Sequence, residues 1–151
     1  MKNNIKNKLH SFLIENLNNK IEILKRDIAE TIEARNNDTK SSAGDKFETG
    51  REMMNVEIQK AEKLLATTAK LVEELKLINL QNTNKKVVYG SVVFTNNGNY
   101  FISIAYGKID IEEGVFYAIS LASPIGKLLH NKQEGDVFSF QGKEFVIENI
   151  L

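Results

Sequence analysis

The sequence predicts an α+β chain. An antiparallel helical coiled-coil hairpin is expected over residues 1–80, and a small domain on a curved antiparallel sheet over residues 81–151. Three observations lead there. Apolar residues in the first half recur at alternating steps of three and four, the period of a helix with one buried stripe. Glycines and aromatic rings crowd into the second half: before Lys85 the chain has only Gly44, Gly50, Phe12 and Phe47. Short alternating segments between turn-forming residues then replace the helical period.

The first helix carries Ile14, Leu17, Ile21, Leu24 and Ile28 as an a/d seam, flanked by Glu22, Lys25, Arg26, Asp27 and Glu30. A second seam runs Met54, Ile58, Ala61, Leu65, Thr68, Val72 and Leu75. Between them, Asn36-Asn37-Asp38-Thr39-Lys40-Ser41-Ser42-Ala43-Gly44 is rich in residues that favour turns over helix. Two narrow apolar stripes joined by so short a break bury each other most simply within one chain. A monomer is therefore expected, with the hairpin turn near residues 36–50. At ~1.5 Å per residue, a helix of about 30 residues spans roughly 45 Å. Asp45-Lys46-Phe47-Glu48, where the second helix opens, reads as a capping box, with Asp45 accepting from the first turn and Glu48 reaching back.

The polar stretch Gln81-Asn82-Thr83-Asn84-Lys85-Lys86 marks the boundary between the halves. Beyond it, residues 87–94, 100–105, 115–119, 137–140 and 144–150 read as strands, with tight turns at Asn96-Asn97-Gly98-Asn99 and Gln141-Gly142. Ser123-Pro124-Ile125-Gly126-Lys127-Leu128-Leu129 reads as a short helix. Ser123 is its N-cap, and Pro124 takes the first position, where a missing N–H costs nothing.

Composition excludes several functions. Twenty basic residues balance twenty acidic ones, so the chain is not a polycationic nucleic-acid coat. It has no cysteine, which removes disulfides, thiolate chemistry and Cys-ligated metals. His10 and His130 are too far apart in sequence for a local metal motif, and both read as ordinary surface or capping residues. No apolar run approaches the roughly 18 residues of a membrane span, and the first residues lack the apolar core of a secretory signal. A cytoplasmic location and no membrane contact are expected. No phosphate-cradling loop, nucleotide fingerprint or Ser/His/Asp set is present.

Two stretches carry a resemblance. One is Ser123-Pro124-Ile125-Gly126-Lys127-Leu128-Leu129, continuing through Lys132-Gln133-Glu134-Gly135-Asp136-Val137 to Lys143-Glu144-Phe145-Val146-Ile147. The other is Gly44-Asp45-Lys46-Phe47-Glu48, preceded by Ile32-Glu33-Ala34-Arg35. In order and spacing they resemble the bacterial Gre transcript-cleavage factors, the GreA/GreB family. The resemblance implies an FKBP-like C-terminal domain and RNA polymerase as partner. The hairpin would enter the polymerase secondary channel, and the C-terminal domain would dock at the rim through Ser123, Pro124 and Ile125. It also implies that Asp45 and Glu48 assist the polymerase active site, helping hold its second Mg²⁺ and orienting the water that attacks backtracked RNA. Lys40, Lys46 and Arg51 would lie near the nascent RNA 3′ end. On this view the chain is not itself an enzyme and carries no cofactor of its own, the Mg²⁺ being shared with the polymerase.

That chemistry is sound apart from the family. Cleaving a phosphodiester with two metals requires one ion at the attacking oxygen and one at the leaving oxygen, and hard Mg²⁺ prefers carboxylate and water ligands. Two carboxylates are too few for a site alone but suffice to complete one. The tip also departs from the family: its loop is longer, and Thr49-Gly50-Arg51-Glu52 stands where asparagine, alanine, glutamate and tyrosine are usual. An alternative is therefore a secondary-channel regulator or inhibitor that does not stimulate cleavage. A prolyl isomerase rests on fold analogy alone, and a dimerising coiled-coil adaptor is disfavoured by the short break between the seams.

Overall fold

The computed structural model describes residues 2–37 and 44–151, with side chains described for 4–37 and 48–151. Helix α1 spans Lys2–Asn37 and helix α2 spans Gly44–Lys76. Six strands and one short helix follow: β1 (Val92–Thr95), β2 (Gly98–Ile102), β3 (Gly107–Ile111), β4 (Gly114–Ile119), α3 (Pro124–Leu129), β5 (Val137–Phe140) and β6 (Lys143–Ile150). The chain forms two compact units, one of Met1–Ile14 with Glu74–Leu151 and one of Glu15–Glu73.

The unit of Glu15–Glu73 is the helix pair. Its least exposed positions are those of the two seams, with Leu17, Ile58, Thr68 and Val72 buried and Ile21, Leu24, Ile28, Ala61 and Leu65 half-buried. The helices run antiparallel: Arg35, near the end of α1, donates from Nη1 to Asn55 Oδ1 on α2 at 2.9 Å. Thr31 and Thr68 satisfy their hydroxyls on the carbonyls four residues back, so seam threonines bury no unpaired donor.

In the other unit, the sheet order is β3-β4-β2-β1-β6-β5. One face carries Val93, Tyr100, Ile102, Phe145, Ile147 and Phe138, with Leu129 and Ile125 of α3 packed on it. Phe138 and Phe145 stack at 5.0 Å. The opposite register positions hold Val92, Phe101, Ile109 and Phe116, all fully buried, as are Leu9, Leu13 and Leu75 of the helix ends. Polar contacts join those ends to the rest of this unit. His10 Nε2–H donates to the Leu75 carbonyl at 2.7 Å, Lys6 Nζ to the Asn82 carbonyl at 2.9 Å, and Tyr89 Oη to the Glu74 carbonyl at 2.6 Å. Lys8 pairs with Glu113 at the β3–β4 turn, and Phe12 meets Tyr106 edge-on at 6.0 Å.

The expected fold class is observed, with one correction to the sheet. It is mixed rather than wholly antiparallel, because β2 and β4 pair in parallel through Tyr100↔Tyr117, Phe101↔Ala118 and Ile102↔Ile119. Strand β3, absent from the sequence reading, is the cause. The chain passes from β2 to an outer position as β3, turns at Glu112-Glu113 and returns as β4 in the direction of β2. Residues 87–91 are not strand: Ser91 N donates to the Val88 carbonyl, and Val88 N to Ser91 Oγ, closing a turn.

Candidate functional site

The first candidate is the end of the helix pair at which α2 begins. Helix α2 opens at Gly44, so Asp45 and Glu48 fall three residues apart at its N-terminal end. There, helix geometry sets them on one face and the free backbone N–H groups favour negative charge. Lys40 lies outside the described residues, as do the side chains of Asp45 and Lys46. Glu48 and Glu52 are exposed and Arg51 is half-buried. Asp45 stands within the first turn of α2, which opens at Gly44.

Gly50 has no steric reason to be glycine: a Cβ built there meets nothing within 4 Å. On the same helix, Thr49, Glu52, Met53, Val56, Glu57 and Lys60 line a shallow depression of about 380 Å³. Met53 and Val56 are 64% and 49% exposed within it. Among the described residues, no group of three or more His, Asp or Glu side chains is placed to share a metal ion. Hard carboxylate oxygens fit Mg²⁺ in kind, and Asp45 with Glu48 supply two such groups, so any Mg²⁺ would need its remaining ligands from a partner.

The second candidate is the Ser123 helix. Ser123 has extended backbone angles (φ −67°, ψ 156°), and its Oγ accepts from Gly126 N at 3.1 Å while donating to the Ser120 carbonyl at 2.7 Å. The hydroxyl thus closes the cap, and Pro124 begins the helix as expected. Gly126 is required by contact, since a Cβ there would stand 2.1 Å from the Ser120 carbonyl oxygen. Of the three docking candidates, Pro124 is exposed, Ser123 is half-buried in its cap, and Ile125 is half-buried against the core. The following turn is held by Asp136, whose Oδ2 accepts from Gln133 N at 2.7 Å, with Gly135 at φ +88°.

Sequence reading missed four interacting side chains. Lys6 is a cation only 3% exposed, whose ammonium is held below its ordinary pKa by burial. Lys8 and Glu113 support each other's charged forms through their hydrogen bond, which raises the Lys8 pKa and lowers that of Glu113. Arg35 pairs with Asn55 and keeps a buried Nε without a partner among the described residues. Only Arg35 left a signal, since it continues the α1 seam in steps of three and four through Thr31.

By its elements, this is an α+β chain that combines an antiparallel pair of long helices with a six-stranded mixed sheet carrying one capped short helix. No protein-family model matches it, and no curated protein does. A solved structure described as the transcription factor Gfh1 is similar to it at 18% identity, over 91% of this chain and 92% of that one, with a TM-score of 0.33. No described helix is long and apolar enough to cross a membrane.

Proposed function

We propose that this chain is a transcription elongation factor that binds RNA polymerase, enters its secondary channel with the helix pair and stimulates cleavage of backtracked RNA. The observation that carries the reading is the helix pair itself: antiparallel helices of 36 and 33 residues, the second opening with Asp45 and Glu48 in its first turns. The Ser123-Pro124 helix, with Ser123 as its N-cap, supports it. In this reading Asp45 and Glu48 supply anionic oxygens to the polymerase centre and accept hydrogen bonds from the attacking water, fixing its approach. Mg²⁺ at the shared site would supply the Lewis acidity. Lys46 and Arg51 offset repulsion between the acidic tip and RNA phosphates, while Pro124 and the Ser123 turn present the docking face.

The test is release of short 3′ RNA fragments from backtracked polymerase complexes. Wild type accelerates release, and an Asp45→Asn, Glu48→Gln double variant binds polymerase without doing so. Equal activity of the two proteins refutes the catalytic role. A second reading, a channel regulator that slows nucleotide addition without cleavage, is favoured by Thr49-Gly50-Arg51-Glu52 and by the added residues between Arg35 and Asp45. It predicts inhibition by wild type and double variant alike.

A further inference from the structure

The α1 seam runs Ile14, Leu17, Ile21, Leu24, Ile28, Thr31, and the next step is Arg35, half-buried like Ile14, Ile21, Leu24 and Ile28. A leucine there would extend the apolar stripe. The chain instead places a permanent cation at a seam position, bonds it to a neutral amide, Asn55 Oδ1, at 2.9 Å, and leaves its buried Nε without a partner among the described residues. An unpaired buried donor on a charged group costs stability, and replacing buried charge by apolar packing is often stabilising. A lone polar residue in such a seam is retained for geometry rather than cohesion. Local rules broken at a cost are expected where function sets the choice.

Asn55 stands seven residues after Glu48, two turns along the same face of α2. The planar guanidinium fork reaches Asn55 through one N–H, a tie from the end of α1 that limits the rotation of α2 about its axis, and with it the direction of the first two turns. The charge alone would not do this, since any cation suits the last turn of α1. We infer that Arg35 is a positioning residue, which through Asn55 sets the orientation of the Asp45/Glu48 end of α2. The orientation claim stands on the helix pair alone; its consequence for cleavage rests on the function proposed above.

The experiment uses the full chain with Glu33→Cys and Glu52→Cys, both exposed, as the only thiols in a cysteine-free sequence. Spin labels on the pair report the distance between α1 and α2. Arg35→Leu is expected to melt no lower than wild type, to shift or broaden the distance distribution, and to reduce cleavage roughly tenfold or more at unchanged affinity for polymerase. Arg35→Lys, which keeps the charge but not the fork, should behave like Arg35→Leu in the distance readout and covers the case in which the leucine variant does not fold. An unchanged distribution in the variant that folds overturns the inference. An altered distribution with undiminished cleavage upholds Arg35 as the residue that orients α2 and refutes its consequence for cleavage. If wild type itself releases no RNA, the functional proposal fails, and the distance measurement still decides whether Arg35 orients α2.

Discussion

Replacing Gly126 by alanine gives opposite signs depending on whether propensity or contact governs. Alanine is favoured over glycine inside a helix by about 1 kcal/mol, and Gly126 lies inside α3 with no positive φ. Contact reverses this. The added Cβ would lie 2.1 Å from the Ser120 carbonyl oxygen, 2.8 Å from Ser123 Oγ and 3.1 Å from Leu121 Cα. The nearest of these atoms is backbone, so no side-chain rotation relieves it. Ser120 O is also the acceptor for Ser123 N at 3.1 Å and Ser123 Oγ at 2.7 Å, so moving it dismantles the cap. Loss of a cap costs about 1 kcal/mol, and overpacking about 1–3 kcal/mol. Set against the propensity gain, the net is a loss of about 1–3 kcal/mol. Urea unfolding followed by circular dichroism measures it as a lower midpoint at unchanged slope. A Gly126→Ala protein as stable as wild type would refute the contact argument and return the position to propensity.

The remaining predictions are shorter. Gly50→Ala, in open space within α2, should raise stability by about 1 kcal/mol in the same assay; a fall would mean that the tip needs glycine. Ser123→Ala removes the acceptor for Gly126 N and should cost about 1 kcal/mol, read as a lower melting temperature. Lys6→Met should be neutral or stabilising at pH 7. Burial holds the Lys6 pKa below its ordinary 10.5, so the unfolded chain binds that proton more tightly and native stability is reduced below the folded pKa. The penalty fades as pH rises through the folded pKa toward 10.5, so the advantage of Lys6→Met over wild type should shrink across that window in parallel melts. A constant difference would count against a buried ammonium.

The parts of the fold that were legible in sequence are those set by period or by local chemistry. Both helices carry long seams whose members are the least exposed positions of the pair, while most of the expected turn, residues 38–43, lies outside the described residues. Ser123 and Pro124 announce α3 because capping is decided within four residues. Strand β3 was hidden because Lys108 and Asp110 flank a single buried Ile109, an alternation too short and too charged to stand out. That omission also hid the parallel β2–β4 pairing, since one extra strand reverses every later direction. Residues 87–91 have the apolar, β-branched look of a strand, yet Val87 bonds Lys132 and Asn131 through its backbone outside any ladder while its side chain packs into the core. Lys6 was illegible because nothing local marks a lysine whose partner is a carbonyl 76 positions away.

At the start of α2, helix stabilisation and the proposed chemistry make competing claims on the same carboxylates. Acids in the first turns of a helix stabilise it by about 0.3–1 kcal/mol each through the exposed N–H groups, whatever else they do. A loss of activity on truncating Asp45 or Glu48 to alanine therefore mixes helix fraying with chemistry. Asparagine at 45 and glutamine at 48 narrow the overlap, because they forfeit only the charge–dipole part of that stabilisation, which the melting temperature reads directly. Both keep the size and hydrogen-bonding oxygen of the original, and glutamine matches glutamate in helix propensity, so the start of α2 stays formed. Only the charge is removed, and charge is what a hard divalent ion and a nucleophilic water require. Cleavage that falls by orders of magnitude while the melting temperature moves by a degree or two assigns the carboxylates to chemistry. Cleavage that falls only in proportion to lost stability assigns them to the helix.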